Sequence, residues 1–180
     1  TFTSACSTYP VCVPFRFSFM TGEYAHTRAV PAIHWRMSPR ERTLAHEFND
    51  AGYETLYFGK WHLEGQFLGS DPILPEFCGG WKRWIGYEFH KKHYTTYAWD
   101  INKKEKIQRA QYQTDGIFDI AMENIRDREN PARPFVSVIS FLAPHSPFDP
   151  PHDLKEKWRD RNITFAPNVM EQKCDVPGVT

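Results

Sequence analysis

An almost unbroken apolar run at residues 135–142, FVSVISFL, constrains the fold of this chain more than any other stretch. Runs of this kind are typical of strands that are buried on both faces, and such strands belong to parallel sheets. A second run of strand-forming residues lies upstream at 53–58. We therefore predict a sheet that contains both runs as strands and is covered on both sides.

Four helices are predicted around or after these strands. Residues 14–21 lie between a starting proline and a closing glycine, which predicts a short helix. The stretch Ser-Pro-Arg-Glu at 38–41 combines a capping box with a proline at the first helical position, and it predicts a second helix that ends at Gly52. A third helix is expected over 114–126, and a shorter one beyond residue 148. The apolar face of the third helix is expected to consist of Ile117, Phe118, Ala121, Met122 and Ile125.

This alternation of helices and strands indicates an α/β fold, and the composition limits the function classes. Basic and acidic residues number 22 each, so the formal net charge is zero and nothing global favours nucleic acid. No apolar run reaches membrane-spanning length. The four cysteines lack C-x-x-C spacing, which argues against structural zinc. The irregular aromatic segment 64–109 fits either a packed excursion over the sheet, which is the commoner case, or a rim that stacks against carbohydrate.

Cys12 directly precedes the predicted helix 14–21. A helix N-terminus presents free N–H groups and a partial positive charge, so it favours an anion. Arg16 adds a full positive charge in the same first turn, where a helix on its own favours a carboxylate. This pattern suggests an anionic guest. Two alternatives stay open, namely Cys12 as a small buried apolar residue beside a solvated arginine, and a Cys6–Cys12 disulfide.

Polar side chains follow both predicted strands. Lys60 and His62 come just after the first strand, and His145 follows the second. Open α/β sheets bind their ligands beyond the carboxyl ends of the strands. We therefore expect these three side chains to converge with Cys12 and Arg16 on one edge of the sheet. Ammonium, guanidinium and imidazole groups all handle anions or protons.

Four segments resemble the sulfatase family and follow the same order along the chain. They are CVPFR at 12–16 with MTGEYAH at 20–26, Gly52-Tyr53 with GKWHL at 59–63, YQTD at 112–115, and FLAPHSPF at 141–148. The first is similar to the family signature C-x-P-x-R followed by T-G-x-Y-x-H, and the second is similar to the second signature. The resemblance implies an alkaline-phosphatase-like α/β/α sandwich with a mainly parallel central sheet.

The resemblance also implies roles for the candidate site residues. In sulfatases a maturation enzyme oxidises the signature cysteine to formylglycine, which would happen here at Cys12. One hydroxyl of the hydrated aldehyde would attack sulfur in line and release the alcohol, and the second would then expel sulfate. Arg16 would hold the hydrate and the oxygens on the metal side. Lys60 would contact the nucleophile and the sulfate, His62 would act on the second hydroxyl, and His145 would bind sulfate and assist the leaving oxygen.

A Ca²⁺ or Mg²⁺ ion is implied by the same resemblance, with formylglycine at position 12 among its ligands. The carboxylate ligands are expected outside this chain, because Asp149 and Asp153 cannot by themselves supply the six or more oxygens that calcium needs. Residues 1–180 are therefore expected to be the central part of a single sulfatase catalytic domain that is truncated at both ends. Such a piece would have little or no activity alone.

The implied function is hydrolysis of a sulfate monoester on a small molecule or a carbohydrate. The aromatic and basic stretch 81–99 is compatible with a sulfated sugar. Two alternatives are a phosphonate or phosphodiester hydrolase of the same superfamily, and an inactive fragment or interaction module. Phe15 replaces the small residue common at that position of the signature, which bears on the efficiency of maturation. His26 is either a further site residue or a packing residue.

Overall fold

The computed structural model describes residues 1, 3–65, 72–162 and 164. These residues fall into two compact units, one up to Asp149 and one from Pro150 onward. The described part of the first unit contains α1 (Cys12–Thr21), α2 (Leu44–Asp50), β1 (Glu54–Lys60), β2 (Arg83–Tyr87), β3 (Thr96–Asp100), β4 (Glu105–Arg109), α3 (Gln113–Arg126) and β5 (Phe135–Ser140), with 3-10 turns at Ala25–Arg28 and Pro75–Phe77. The second unit contains α4 (His152–Trp158), which confirms the short helix expected beyond residue 148.

The five strands form one sheet in the order β4-β3-β2-β1-β5. β1 pairs in parallel with both β2 and β5, whereas β3 and β4 are added as antiparallel strands on the far side of β2. The carboxyl ends of the three parallel strands therefore lie on the same edge of the sheet. The register places Lys60 beside Tyr87, and Gly59 beside Ser140.

β1 is covered on both faces because its side chains alternate between two apolar clusters. Tyr57 packs on one face with α1 and α2, whereas Leu56 and Phe58 pack on the other face with α3. Helices therefore cover both sides of the sheet, as predicted for an α/β/α sandwich. The helical residues of the first cluster are Val13, Phe17, Met20 and Ala45, and those of the second are Ile117, Ile120 and Ala121.

Helix α1 confirms the helix predicted over 14–21 but begins earlier, at Cys12. Cys12 is thus the first helical residue instead of a residue before the helix. The predicted glycine stop is confirmed, because Gly22 has a φ of 72° and its N–H donates to the Ser18 carbonyl.

Helix α2 begins well after the predicted start at Ser38, so that prediction is wrong. The capping box is formed instead by Thr43 and His46, where the His46 side chain accepts from the Thr43 N–H at 3.1 Å. Ser38 makes a turn, because its hydroxyl accepts from the Arg40 N–H and its carbonyl accepts from the Glu41 N–H. A serine that bonds to its own backbone in this way competes with helix formation.

Helix α3 confirms the helix predicted over 114–126. Ile117 and Ala121 are fully buried as expected, but Phe118 is 47% exposed and does not belong to the buried face. The reason is the helical period, because adjacent residues point about 100° apart around the axis.

Strand β5 confirms the strand predicted at 135–142, but its predicted burial on both faces is wrong. Among the described strands it lies at the edge of the sheet, and Phe135 is 39% exposed. Val136 and Val138 pack against one apolar cluster and Ile139 packs against the other, so each face is only half covered. An apolar run predicts a strand but does not specify its neighbours.

The described residues of the segment 64–109 contain three strands that its composition did not predict. Trp81 and Trp84 are buried in the core, which confirms packing as the main role of its aromatic residues. Tyr94, in contrast, is 49% exposed. β4 is charged and largely exposed, so it carries no hydrophobic pattern that identifies it as a strand. No helix in the described part of the chain is long and apolar enough to cross a membrane.

Candidate active site

The carboxyl end of β1 is joined to α1 through one arginine. Arg16 Nη1 donates hydrogen bonds to the backbone carbonyl oxygen of Lys60 and to Ser140 Oγ, both at 2.8 Å. The Tyr57 hydroxyl donates to the same Lys60 oxygen. Both arginine bonds use Nη1, which is one of the three guanidinium nitrogens. The guanidinium is therefore fixed where α1 meets the ends of β1 and β5.

Cys12 begins α1 and lies one helical turn before Arg16, on the same side of the helix. Its side chain is half-buried. The thiols of Cys6 and Cys12 are both free, so the disulfide that the sequence left open is not formed. Among the described residues, no side chain caps the N-terminus of α1 and no acidic residue lies in its first turn. The partial positive charge of this helix end is therefore not neutralised by the helix's own residues.

The Lys60 side chain is buried at the end of β1, with only 2% of its surface exposed. Burial, followed by the positive charge of Arg16, lowers the pKa of Lys60 from its ordinary 10.5 to about 8, against the opposing effect of Cys12 and Glu88. Its ammonium nitrogen lies 4.6 Å from the centroid of the Phe89 ring. This cation is therefore weakly hydrated, and its attraction for an anion is stronger than it would be in water. It also lies close enough to Cys12 for the two charges to interact.

His62 is held on the turn that follows β1, where its backbone has a φ of 55°. Its ring stacks on Phe89 with 4.8 Å between the centroids. Burial, followed by the nearby charges of Lys60, Arg16 and His145, lowers the pKa of His62 from 6.5 to about 3. The ring is therefore a neutral imidazole at neutral pH, able to accept a proton at one nitrogen.

His145 follows β5 and meets the same phenyl ring from the side. Its ring makes an edge contact with Phe89, with the centroids 5.5 Å apart. Nδ1 of His145 lies 2.6 Å from the backbone carbonyl oxygen of Ser146. Because a carbonyl only accepts hydrogen bonds, Nδ1 carries a proton in this arrangement. Nε2 is therefore the nitrogen at which His145 can bind or release a second proton.

Glu88 holds the turn that carries His62. Its carboxylate is buried at the end of β2 and accepts hydrogen bonds from the backbone N–H groups of Leu63, Glu64 and Gly65, at 3.2, 2.9 and 3.0 Å. Burial raises the pKa of Glu88 from 4.5 to about 7. Three donors on one carboxylate fix the backbone directly after His62.

The five predicted site residues thus meet at one sheet edge, and the side chains of Lys60, His62 and His145 surround Phe89. His26 is apart from this group in the described part of the chain. It lies exposed in the 3-10 turn Ala25–Arg28, with its ring 5.5 Å from that of Tyr24.

The described residues do not by themselves fit a divalent metal ion. They contain no group of three or more His, Cys, Asp or Glu side chains that could hold one. A calcium ion needs six or more oxygen ligands. The Ca²⁺ or Mg²⁺ ion implied by the sequence therefore has no ligand set in this part of the chain.

Sequence reasoning missed three residues of this edge, namely Glu88, Phe89 and Ser140. Glu88 and Phe89 directly follow β2, so the rule that found Lys60 and His62 would have found them too if β2 had been recognised. Ser140 is the last residue of β5 and had no distinguishing pattern in the sequence.

The fold and the site define a class of protein. It is an α/β sandwich whose strand ends gather cations and imidazoles at the sheet edge where a helix begins with a cysteine. The Sulfatase family model matches residues 1–173. The chain belongs to the sulfatase family.

Similar proteins agree with this assignment. The chain is 31% identical over 185 residues to the sulfatase YidJ of Escherichia coli K12, which itself has no characterised function, with 98% of this chain and 37% of the relative covered. It is 29% identical over 169 residues to an ulvan-active sulfatase of Formosa agariphila, with 93% and 33% covered. The chain thus spans about a third of the length of these relatives.

Solved structures show the same fold. One is the crystal structure of yidJ from Bacteroides fragilis, a protein whose description assigns it provisionally to the sulfatases. It matches with a TM-score of 0.78 and 25% identity, over 89% of this chain and 40% of that one. A protein solved in complex with its substrate D-glucosamine-2-N,6-O-disulfate matches with a TM-score of 0.72 and 22% identity, over 91% and 31%. The predicted alkaline-phosphatase-like fold class is confirmed.

Proposed function

We propose that this chain carries the nucleophile half of the active site of a sulfuric ester hydrolase, with Cys12 as the reacting position. The observation that carries this proposal is the Arg16 clamp, in which one guanidinium nitrogen bonds the Lys60 carbonyl and Ser140 Oγ beside the helix end that begins at Cys12. Residues 1–180 would then be part of a single catalytic domain. Family membership and the alkaline-phosphatase-like fold support this proposal.

Arg16 and Lys60 would bind the sulfate oxygens. A sulfate ester carries its negative charge on several oxygens, and the charge shifts toward the leaving oxygen as the S–O bond breaks. Two fixed cations in a partly dehydrated site stabilise such charge without further reorganisation. The burial of Lys60 and the bonded position of Arg16 both fit this role.

His62 and His145 would move protons. Burial and then the charges of Lys60 and Arg16 lower the pKa of His62, so an anion bound to these two cations would raise it again and let the ring accept a proton from the second hydroxyl at position 12. His145 holds one proton at Nδ1 against the Ser146 carbonyl, so a second proton at Nε2 can be given to the leaving oxygen. The His62 ring stacks on the phenyl ring of Phe89 and the His145 ring makes an edge contact with it, so both imidazoles contact the same side chain.

Sulfatases generally depend on formylglycine and on a metal ion. A half-buried free thiol at the start of α1, beside Lys60 and Arg16, fits a precursor of formylglycine. Once formed at position 12 by a maturation enzyme, the hydrated aldehyde would supply a hydroxyl nucleophile. The Ca²⁺ or Mg²⁺ ion would have to draw its carboxylate ligands from other parts of the complete protein.

The substrate is proposed to be a sulfated small molecule or a sulfated carbohydrate. Two relatives support the carbohydrate case, because one is described as ulvan-active and another was solved with a disulfated glucosamine. The exposed ring of Tyr94 is compatible with sugar binding, whereas Trp81 and Trp84 are buried and unavailable for it.

The test is turnover by the complete protein, produced together with a formylglycine-generating enzyme. An aryl sulfate and a phosphonate monoester would be compared as substrates, and we expect the sulfate to be preferred. Lys60→Met and His62→Ala should each lower kcat by more than about 10²-fold, because each removes a group that acts on the reacting oxygens. Lys82→Ala, an exposed lysine at the opposite end of β2, is the matched control and should leave kcat unchanged.

A strong preference for the phosphonate would contradict the proposal and favour a phosphonate or phosphodiester hydrolase. Absence of turnover on either substrate by fully matured protein would favour an inactive interaction module. Unfolding midpoints of the variants would be measured alongside, because loss of folding in place of loss of turnover would assign Lys60 and His62 to packing.

A further inference from the structure

Phe89 is surrounded by basic side chains. The ammonium nitrogens of Lys60 and Lys91 lie 4.6 and 6.0 Å from the centroid of its ring, and the rings of His62 and His145 lie 4.8 and 5.5 Å from it. Three of these four groups belong to the proposed sulfate site. Lys91 is the fourth, and the proposed reaction gives it no role.

The Lys91 charge is not compensated by the described part of the chain. Lys91 is exposed and makes no ion pair with any described carboxylate, and the same holds for its neighbour Lys92. The whole chain has a formal net charge of zero, so this excess of positive charge is local. Clustered like charges repel one another, and an anionic ligand relieves that repulsion.

The segment that carries Lys91 is fixed on both sides. Before it, the His90 ring lies 4.2 Å from that of Tyr87, and its Nε2 is 3.1 Å from Gln113 Nε2. After it, the backbone carbonyl of His93 accepts a hydrogen bond from the Gln113 N–H at 2.6 Å. Gln113 is the buried first residue of α3, so one side chain and its own backbone anchor both flanks of Lys91. The backbone that carries Lys91 is thus fixed beside the site.

We propose that Lys91 forms a subsite for a second anionic group on the substrate, a sulfate or a carboxylate, beside the sulfate that is cleaved. This inference rests on the proposed function and narrows its substrate class to esters with at least two anionic groups. Arg16 and Lys60 bind the reacting sulfate from within the site, because Lys60 is buried. Lys91 is exposed, so it binds the second anion from the solvent side.

Equilibrium binding tests this subsite without needing turnover. The complete protein with Cys12→Ala would be titrated by calorimetry with a monosulfated sugar, the disulfated form of the same sugar, and a monosulfated uronic acid. We expect Lys91→Ala to raise the Kd of the disulfated ligand about tenfold, as for the loss of one charge-assisted hydrogen bond. The Kd of the monosulfated ligand should change by less than about twofold. If Lys91→Ala weakens binding of the uronic acid as much as binding of the disulfated sugar, the subsite accepts anions in general. If the uronic acid behaves like the monosulfated sugar, the subsite is specific for sulfate.

Two further variants are the controls. Lys91→Arg keeps the charge and should retain the preference for the disulfated ligand. Lys82→Ala removes an equally exposed lysine at the other end of β2 and should change neither affinity. If Lys91→Ala weakens the binding of both sugars equally, or of neither, the proposed Lys91 subsite would be wrong. Failure of the proposed function is separate, because it would appear as absence of sulfate release by matured protein, whatever the binding result.

Discussion

Arg16 donates a 2.8 Å hydrogen bond to the backbone carbonyl oxygen of Lys60, and this bond links the first turns of α1 to the end of β1. The same nitrogen bonds Ser140 Oγ on β5. Two parallel strands and one helix are therefore held together by the guanidinium that we assign to substrate binding. A residue in this position contributes to both stability and function.

Removal of this guanidinium should destabilise the protein. In the complete protein, Arg16→Met should lower the free energy of unfolding by about 1–3 kcal/mol, because two hydrogen bonds from a charged donor are lost. Urea unfolding followed by circular dichroism measures the change. Arg42→Ala is the control, since its ion pairs with Glu47 and Asp50 are exposed, and it should have little effect. Equal losses of unfolding free energy in the two variants would contradict a stabilising role for the two hydrogen bonds of Arg16.

Gly59 allows β1 and β5 to approach each other closely. Its φ is 97°, and a Cβ atom there would lie 2.1 Å from the backbone oxygen of Ser140. Gly59→Ala should therefore cost more than about 3 kcal/mol of unfolding free energy, since the backbone itself must shift.

Gly52→Ala is the matched control for this substitution. Gly52 has a similar φ of 86° but no atom within 4 Å of an added Cβ, so only the cost of the left-handed backbone, about 1–2 kcal/mol, is expected. If the two variants lose the same free energy in urea unfolding, the close contact between the strands does not determine the effect.

Protonation of His62 should oppose folding in acid. Its pKa is about 3 in the folded protein against an ordinary 6.5, so the unfolded chain binds the proton more readily between these values. The contribution of His62 to stability is therefore complete above pH 6.5 and is lost as the pH falls toward 3. His62→Gln should make the unfolding free energy fall less steeply between pH 7 and pH 4 than in the native protein. Parallel curves would contradict the lowered pKa.

Glu88 should have the opposite pH dependence. Its pKa is raised from 4.5 to about 7, so the folded protein binds this proton more readily than the unfolded chain does. Its stabilising effect is therefore complete below pH 4.5 and is lost as the pH rises through 7. Glu88→Gln should remove this slope, so the variant should gain stability relative to the native protein between pH 5 and pH 8. Urea midpoints at the two pH values measure the difference, and a relative loss at pH 8 would contradict the assignment.

The fold was predictable from sequence where local pattern and tertiary structure agree. α1, α3 and β1 have clear stop signals or apolar patterns, and the structure contains all three. β3 and β4 are antiparallel additions that lack such a pattern, because β3 buries the polar residues Thr96 and Asp100 whereas β4 is charged and largely exposed. Their pairing with β2 depends on tertiary contacts that no local signal records.

The candidate site was predictable for a similar reason. Lys60, His62 and His145 follow strands that the sequence identified, whereas Glu88 and Phe89 follow a strand that it did not. The hydrogen bonds of Arg16 and Glu88 could not be predicted, because they connect residues more than 20 positions apart.

The central claim is that position 12 carries the reacting group, and peptide mass spectrometry tests it most directly. The protein would be produced with a formylglycine-generating enzyme, digested, and the peptide containing Cys12 examined for the aldehyde. We expect conversion of the Cys12 thiol to formylglycine, whereas Cys6, on the same tryptic peptide, should keep its thiol when fragmentation assigns the modified position. Recovery of Cys12 only as a thiol, or in a disulfide with Cys6, would contradict it.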